Sequence, residues 1–395
     1  MKVFVVGNAH LYKDENGDYY SPSIYSYDFL KRYLNVFEDV KFAGKVRSAE
    51  GVDFGGCNKV NGPNVEIAEL PWFQGIKQMI GEFGTIKKAL RKACGDCDCF
   101  IFRIAQLEGF MAYKYGKIKN KPFAVEIVND PETFTDMPRI MKSYSVHMVK
   151  KMARMANGAA YVTKEYLQKK YPAATKKDGK QKFQAYYSSI DLSADDIFDT
   201  PVVYSGEKPF RIVHVSNAIN SDIKGHTTLI RAFEMIVRGH ENSELVFIGD
   251  GSKLDDYKQM AASAGLQDKV RFLGRLASKS SILNELRASS LMILPTKMEG
   301  LPRTIIEAMA VGLPCLSTPI AGIPELLEKK YLFSPDDHIG FANKTLELIN
   351  DPDELNSMGR RNLLKASEFT SIELEPRRTR FYEELKKATE AVKAK

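Results

Sequence analysis

The chain is 395 residues long, more than one typical core holds, and its length predicts two domains of about 200 residues each. Apolar residues make up 44% and charged residues 27%, a globular balance that excludes a disordered or fibrous chain. The net charge of +7 is uneven: residues 1–200 hold 30 Lys+Arg against 24 Asp+Glu, residues 201–395 hold 27 against 26, and residues 101–182 alone hold 17 against 7. No base-reading motif or aromatic stacking platform accompanies that basic segment, which argues against nucleic acid. It reads either as an anionic-surface contact, such as a membrane face, or as a solvated lysine-rich face.

The first run, KVFVVGN, reads as a strand. It reaches Gly7 and His10 too early for a secretory signal, and no later run has the roughly 18 to 20 apolar residues of a membrane helix. A soluble, cytoplasmic protein is therefore expected. The stretch GNAHLYKDENGDYYSPSIYSYDF reads as a long polar loop, with Gly7, Asn8 and His10 at the strand's carboxyl end. His10 either orients a ligand there or is a hydrogen-bonded structural histidine.

Cys57, Cys94, Cys97, Cys99 and Cys315 are odd in number and lack a disulfide-framework spacing, as in a reducing compartment. The C-x-x-C in ACGDCDCF has no second pair, so it reads as a buried strand end rather than a zinc clip. CFIFRIA, PFAVEIVND, GAAYVTK and FQAYYSS continue the strands. Asn129 and Asp130 end the second of these; they are either a ligand contact or an Asn-Asp-Pro turn. Weak periodicity from Asp191 to Pro209 predicts a hinge, giving domains 1–205 and 206–369 and a C-terminal helix in 370–395, helical after Pro376.

In the second half FRIVHVS precedes a helix from Gly225, ELVFIGD one from Ser252, VRFLGR one from Ser280 and SLMILPT one from Arg303. PCLST precedes a helix from Pro324, and YLFSP one from Asp336. Short, near-continuous apolar runs between amphipathic helices predict a parallel sheet covered on both faces. The fold class is thus α/β, with two Rossmann-like, doubly wound domains facing across a cleft. Ligands in such sheets sit beyond the carboxyl ends of the strands.

The loop after SLMILPT meets that condition. Gly300 and Pro302 break the chain and aim a helix N-terminus outward, where free N–H groups and the positive end of the dipole favour a phosphate. Glu299 precedes that terminus and Glu307 lies about one turn inside. Alone, Glu307 would be a solvated residue with Arg303 as its i, i+4 neighbour. Two acids beside an anion site are explained if they accept hydrogen bonds from neutral hydroxyls flanking a diphosphate. Lys224-Gly225 opens another helix at the same sheet edge and supplies a cation.

The pattern E-G-L-P-x(4)-E-A-M-A-x-G-x-P, the preceding K-G, and the strand ends FIGDG and VRFLG, in that order, resemble the donor domain of family 4 glycosyltransferases. The resemblance is closest over about 210–330. More loosely, the first domain resembles members that build capsular or other cell-surface polysaccharides. It implies GT-B architecture, a retaining transfer without a bound metal, and a UDP-, GDP- or dTDP-sugar donor. The acceptor would be lipid-linked or a saccharide, and the last helix would cross back to the first domain.

By the same resemblance Glu299 contacts the donor sugar, Glu307 the ribose and Lys224 the diphosphate. Backbone amides of Gly300, Leu301 and Arg303 hold the sugar or phosphate, and Gly249 and Gly251 line the nucleotide side. Ser216-Asn217 stand where family members carry a Gly-Arg pair, so Asn217 falls on the donor side and Arg303 or Arg275 is the candidate replacement cation. Catalytic roles are expected for Glu299, Lys224, Asp130 and His10, with Gly7 and Asn8 on the acceptor side. A GT-B-type sugar nucleotide epimerase and a non-catalytic sugar nucleotide binder remain alternatives. A nicotinamide dehydrogenase is disfavoured, because no G-x-G-x-x-G follows either leading strand.

Overall fold

The computed structural model describes every residue except 51–53, 55, 106, 119, 136, 175–181, 207, 277 and 395. The chain forms two compact units: Met1–Glu132, Met137–Tyr187 and Glu375–Lys395 make the first, Thr133–Asp136 and Ser188–Leu374 the second.

The first unit contains, in order, β1 (Lys2–Lys13), β2 (Tyr19–Ser21), α1 (Tyr27–Leu34), β3 (Asp39–Ser48), β4 (Asn58–Lys59), β5 (Val65–Pro71), α2 (Gly75–Gly81), α3 (Phe83–Ala93), β6 (Cys99–Ile104), α4 (Leu107–Tyr115), β7 (Phe123–Ile127), α5 (Arg139–Met155), β8 (Gly158–Tyr161), α6 (Tyr166–Lys170) and β9 (Phe183–Tyr186). Its parallel strands lie in the order β5-β3-β1-β6-β7-β8-β9, and β2 and β4 add an antiparallel edge. Chain order reverses between β1 and β6. Every residue of β6 and β7 is buried, as a doubly covered parallel sheet requires.

Two charges break that apolar run and face each other in register, Arg103 on β6 and Glu126 on β7. They form a buried ion pair, and Glu126 also accepts from the hydroxyls of Tyr187 at 2.9 Å and Tyr382 at 2.7 Å. Burial alone would raise the Glu126 carboxyl, yet the Arg103 guanidinium and the two hydroxyls hold it below the usual carboxylate range. Tyr382 belongs to the last helix, whose Phe381, Tyr382 and Leu385 are all buried. Phe381 packs 5.1 Å from the ring of Phe183 on β9.

The second unit contains β10 (Phe210–Ala218), α7 (His226–Gly239), β11 (Ser243–Asp250), α8 (Leu254–Ser263), β12 (Val270–Phe272), α9 (Lys279–Arg287), β13 (Leu291–Leu294), α10 (Arg303–Ala310), β14 (Cys315–Ser317), α11 (His338–Ile349) and α12 (Pro352–Ser367). The final helix α13 (Ser371–Lys393) carries the chain into the first unit from Glu375. The five strands are parallel in the order β12-β11-β10-β13-β14, reversing between β10 and β13. Phe233, Ile236, Phe247, Ile293 and Phe341 are among the side chains that fill its core.

Several local expectations need correction. GNAHLYK is strand, not loop: β1 leaves β6 after Val6, slips register, and continues beside β3 to Lys13. Gly7, Asn8 and His10 therefore lie within a strand. DVKFAGKVRS and VEIAELP, unremarked in the sequence, are β3 and β5. Pro324 opens only a 3-10 turn, Ile323–Glu325, and YLFSP contributes a single bridge, Ser317 to Leu332. Pro376 lies inside α13 rather than before it. The stretch read as a hinge is fastened within the second unit, where Phe198 N donates to Ala310 O at 2.9 Å and Lys279 Nζ to Asp196 at 2.7 Å.

Candidate active site

The loops after β10 and β13 adjoin at the point where strand order reverses in the second unit, the place where open α/β sheets leave a crevice. Cross-bonds fasten them to each other. Lys297 N donates to Ile223 O at 2.8 Å, and Lys297 Nζ reaches Asp222 at 3.2 Å and Asp336 at 3.0 Å. Asp222 in turn accepts from Thr227 N at 2.9 Å and holds the first turn of α7. Gly225 before that turn has φ 76°, and a Cβ there would stand 2.2 Å from Pro295 O. Glycine alone lets the two loops approach so closely.

Lys224 and Glu299 are brought together as an ion pair, and Lys224 Nζ also donates to Met298 O at 3.1 Å. Gly300 and Leu301 follow as buried backbone, and Gly300 O accepts from Gly322 N at 2.9 Å. Pro302 caps α10 without a side-chain hydrogen bond, so the first amides of α10 lack a side-chain acceptor at the cap. Glu307 is half-buried and, among the described residues, accepts no hydrogen bond and forms no ion pair. Burial pushes its carboxyl above the usual range, while Arg303 and Lys279 pull the other way. A desolvated carboxylate without a partner is an acceptor held ready for a donor.

The nucleotide-side expectations fall at the same sheet edge. Gly249 has φ 136°, and a Cβ would stand 1.7 Å from Ser216 O; a Cβ on Gly251 would stand 2.5 Å from Asn220 Oδ1. Asn217 is exposed at the end of β10. Arg303 is half-buried and Arg275 exposed, and neither forms an ion pair among the described residues. Behind Lys224, His226 and His214 are fully buried with ring centroids 4.6 Å apart. Among the described residues both nitrogens of His226 lack a hydrogen bond, and burial pushes its imidazole down to about 4.

In the first unit Asn8 is exposed and its Oδ1 accepts from Lys45 Nζ at 2.7 Å; Lys45 also forms a buried ion pair with Glu108 at 2.6 Å. Gly7 makes room for Tyr25, whose hydroxyl would meet a Cβ at 2.1 Å. The ring of His10 sits 4.8 Å from Trp72, and its Nε2 lies 3.3 Å from Phe73 O. Burial and Lys45 lower its imidazole. Lys45 and Glu108 escaped the sequence reading, although the lysine inside the apolar run KFAGKV was a signal that it needs a buried partner.

Asp130 is fully buried, and its oxygens accept from Tyr171 Oη at 2.6 Å, Tyr166 Oη at 2.6 Å, Lys170 Nζ at 2.7 Å and Glu132 N at 2.9 Å. It anchors the turn after β7 to α6, and these donors leave a ligand no open oxygen. Cys94, Cys97 and Cys99 are buried free thiols pushed up to about 12 by burial. Among the described residues no group of three or more His, Cys, Asp or Glu is placed to hold a metal ion. No helix among them is long and apolar enough to cross a membrane.

Residues 201–363 match the family model for glycosyl transferases group 1. Protein CapJ of Staphylococcus aureus is 28% identical over 348 residues, 86% of this chain and 82% of that protein. Sucrose-phosphate synthase from Thermosynechococcus elongatus has the same fold, with a TM-score of 0.71 at 12% identity over 98% of this chain and 100% of that one. Anabaena HepE in complex with UDP and glucose superposes with a TM-score of 0.65 at 16% identity over 99% of both chains. The fold is that of the GT-B glycosyltransferases. The group 1 match lies within the second unit, and together with the relatives it supports a transferase enzyme.

Proposed function

We propose that the chain transfers a hexose or deoxyhexose from a nucleotide diphosphate sugar to an acceptor hydroxyl with retention of anomeric configuration, in the synthesis of a cell-surface polysaccharide. The Lys224–Glu299 pair beside the sparsely capped start of α10 carries this reading. An arriving diphosphate offers Lys224 a stronger anion than Glu299. The released carboxylate then accepts from sugar hydroxyls, and Glu307 accepts from the ribose. Amides of Gly300, Leu301 and Arg303 close around the anion, and Gly249, Gly251 and Asn217 border the nucleotide. Arg303 or Arg275 supplies the second cation that Asn217 does not.

As the glycosidic bond breaks, charge grows on the leaving diphosphate, and Lys224 with the helix ends stabilises it. These fixed cations take the place of a divalent ion, and the transfer proceeds with chelator present. In the first unit, Asn8 and His10 beside Gly7 contact the acceptor, a saccharide or lipid-linked sugar, the Lys45–Glu108 pair holding Asn8 in place.

HepE, solved with UDP and glucose, makes UDP-glucose the first donor to test. The test is a thermal-shift panel of UDP-, GDP- and dTDP-sugars, followed by acceptor-dependent release of nucleoside diphosphate with and without EDTA. A ligand at 100 times its dissociation constant adds about 2.7 kcal/mol. Stabilisation by no nucleotide sugar and no nucleoside diphosphate overturns the proposal. Epimer formation without an acceptor replaces it with an epimerase.

A further inference from the structure

The charges of α5 are all of one sign. Its sequence, RIMKSYSVHMVKKMARM, has Arg139, Lys142, Lys150, Lys151 and Arg154 and no acid. Among the described residues none of these five forms an ion pair. The lysines that follow on α6 behave otherwise: Lys169 pairs with Glu165 at 2.6 Å, and Lys170 with Asp130 at 2.7 Å. Helix α5 thus carries five of the 17 basic residues of 101–182 and none of its acids.

The solvent face of α5 is also apolar. At 100° per residue, Ile140, Tyr144, His147, Lys151, Arg154 and Met155 share one side, opposite the buried Val149 and Ala153. Ile140 is 84% exposed, Met155 53% and Tyr144 40%. Helices α2 and α3 repeat the combination. Ile80 is 65% exposed and Phe83 37%, and Lys87, Lys88, Arg91 and Lys92 form no ion pair among the described residues. Helix α4 touches both neighbours: Tyr115 packs 5.3 Å from Phe83, and Tyr113 Oη donates to Met155 Sδ at 2.9 Å. Five of the ten exposed large apolar side chains among the described residues lie on α2, α3 and α5.

We infer that this face of the first unit, α5 with α2 and α3 beside it, is a docking surface for an anionic lipid bilayer. Unpaired cations seek an anionic surface, and isoleucine and methionine held in water between them gain by entering the acyl boundary. A nucleic acid satisfies the cations but leaves the aliphatic Ile140 and Met155 in water. The inference is independent of the donor site.

The test is sedimentation of the full chain with vesicles of phosphatidylcholine alone and of phosphatidylcholine mixed with phosphatidylglycerol. Binding to the mixed vesicles only, declining as salt rises, is expected. Each basic residue near an anionic bilayer contributes about fivefold, so the triple variant K150Q/K151Q/R154Q loses roughly a hundredfold. Ile140→Ser loses about tenfold without altering charge. Both variants alter exposed positions, so their unfolding temperatures and their transfer to a water-soluble acceptor stay at the wild-type level. Equal partition into both vesicles, or wild-type binding by the triple variant, overturns the inference. So does heparin binding that follows the charges while Ile140→Ser leaves vesicle binding unchanged, because the surface then recognises a polyanion and not a bilayer.

Discussion

Lys224 and Glu299 stand 75 positions apart in the chain and form an ion pair across the two loops where strand order reverses. In the free protein each neutralises the other; in the proposed reading a bound sugar diphosphate gives each a separate partner. Lys224→Ala therefore weakens a nucleoside diphosphate and its sugar conjugate alike. Glu299→Gln spares the free diphosphate and lowers turnover, because its partner is the sugar on which positive charge grows in the transition state. Calorimetry with the diphosphate alone, set beside transfer rates, separates the two effects. Equal losses for both ligands in Glu299→Gln would place that carboxylate on the nucleotide instead.

Glu307 predicts a trade of stability against binding. Its carboxyl is raised in the folded chain, so ionisation at neutral pH works against folding, and that cost disappears as pH falls below the unfolded carboxyl's range. Glu307→Gln is expected to raise the unfolding temperature of the ligand-free protein at neutral pH, with the gain fading in acid. The same change weakens both nucleoside diphosphate and sugar nucleotide. A variant destabilised at neutral pH would show that Glu307 already has a partner in the free protein.

His226 makes the second unit acid-sensitive. Its imidazole falls from 6.5 to about 4, chiefly through burial and then through the Lys224 charge, so the folded state holds the neutral ring. Stability is complete above the unfolded value near 6.5 and is lost as pH falls toward 4, by roughly 3 kcal/mol for this ring alone. His226 stacks on Tyr257 at 4.7 Å and Phe247 at 5.5 Å, contacts that phenylalanine can keep. Thermal unfolding against pH should show a shallower acid limb for His226→Phe than for the wild type. Parallel limbs would assign the acid loss to other groups, His214 first.

The last helix is expected to carry much of the first unit's stability. Tyr382→Phe removes a donor from the buried Glu126 carboxylate and should cost about 2 kcal/mol. Phe381→Ala opens a cavity beside Phe183 and should cost about 3 to 5 kcal/mol. The exposed Glu383→Ala, one position after Tyr382, should stay within about 0.5 kcal/mol. Chemical denaturation that ranks the three differently would mean that α13 is held by other contacts.

Sequence alone determined the α/β class, the five sheet strands of the second half though not the lone bridge at YLFSP, and the helix starts at Lys224-Gly225 and Arg303, because apolar periodicity and Gly/Pro punctuation are written in adjacent residues. It could not show that GNAHLYK extends as strand: a run with His10 and Lys13 looks like a loop until β3 lies beside it to take its backbone hydrogen bonds. Nor could it match Arg103 to Glu126 or Lys45 to Glu108, since a buried charge declares only that a partner exists; the register of β7 decides the first partner and the packing of α4 the second. The tertiary structure alone saturated Asp130 with tyrosine and lysine donors while leaving Glu307 with none among the described residues. The two acids look alike as sequence. What separates them is whether the surrounding elements deliver hydrogen-bond donors, and that depends on packing between residues distant in the chain.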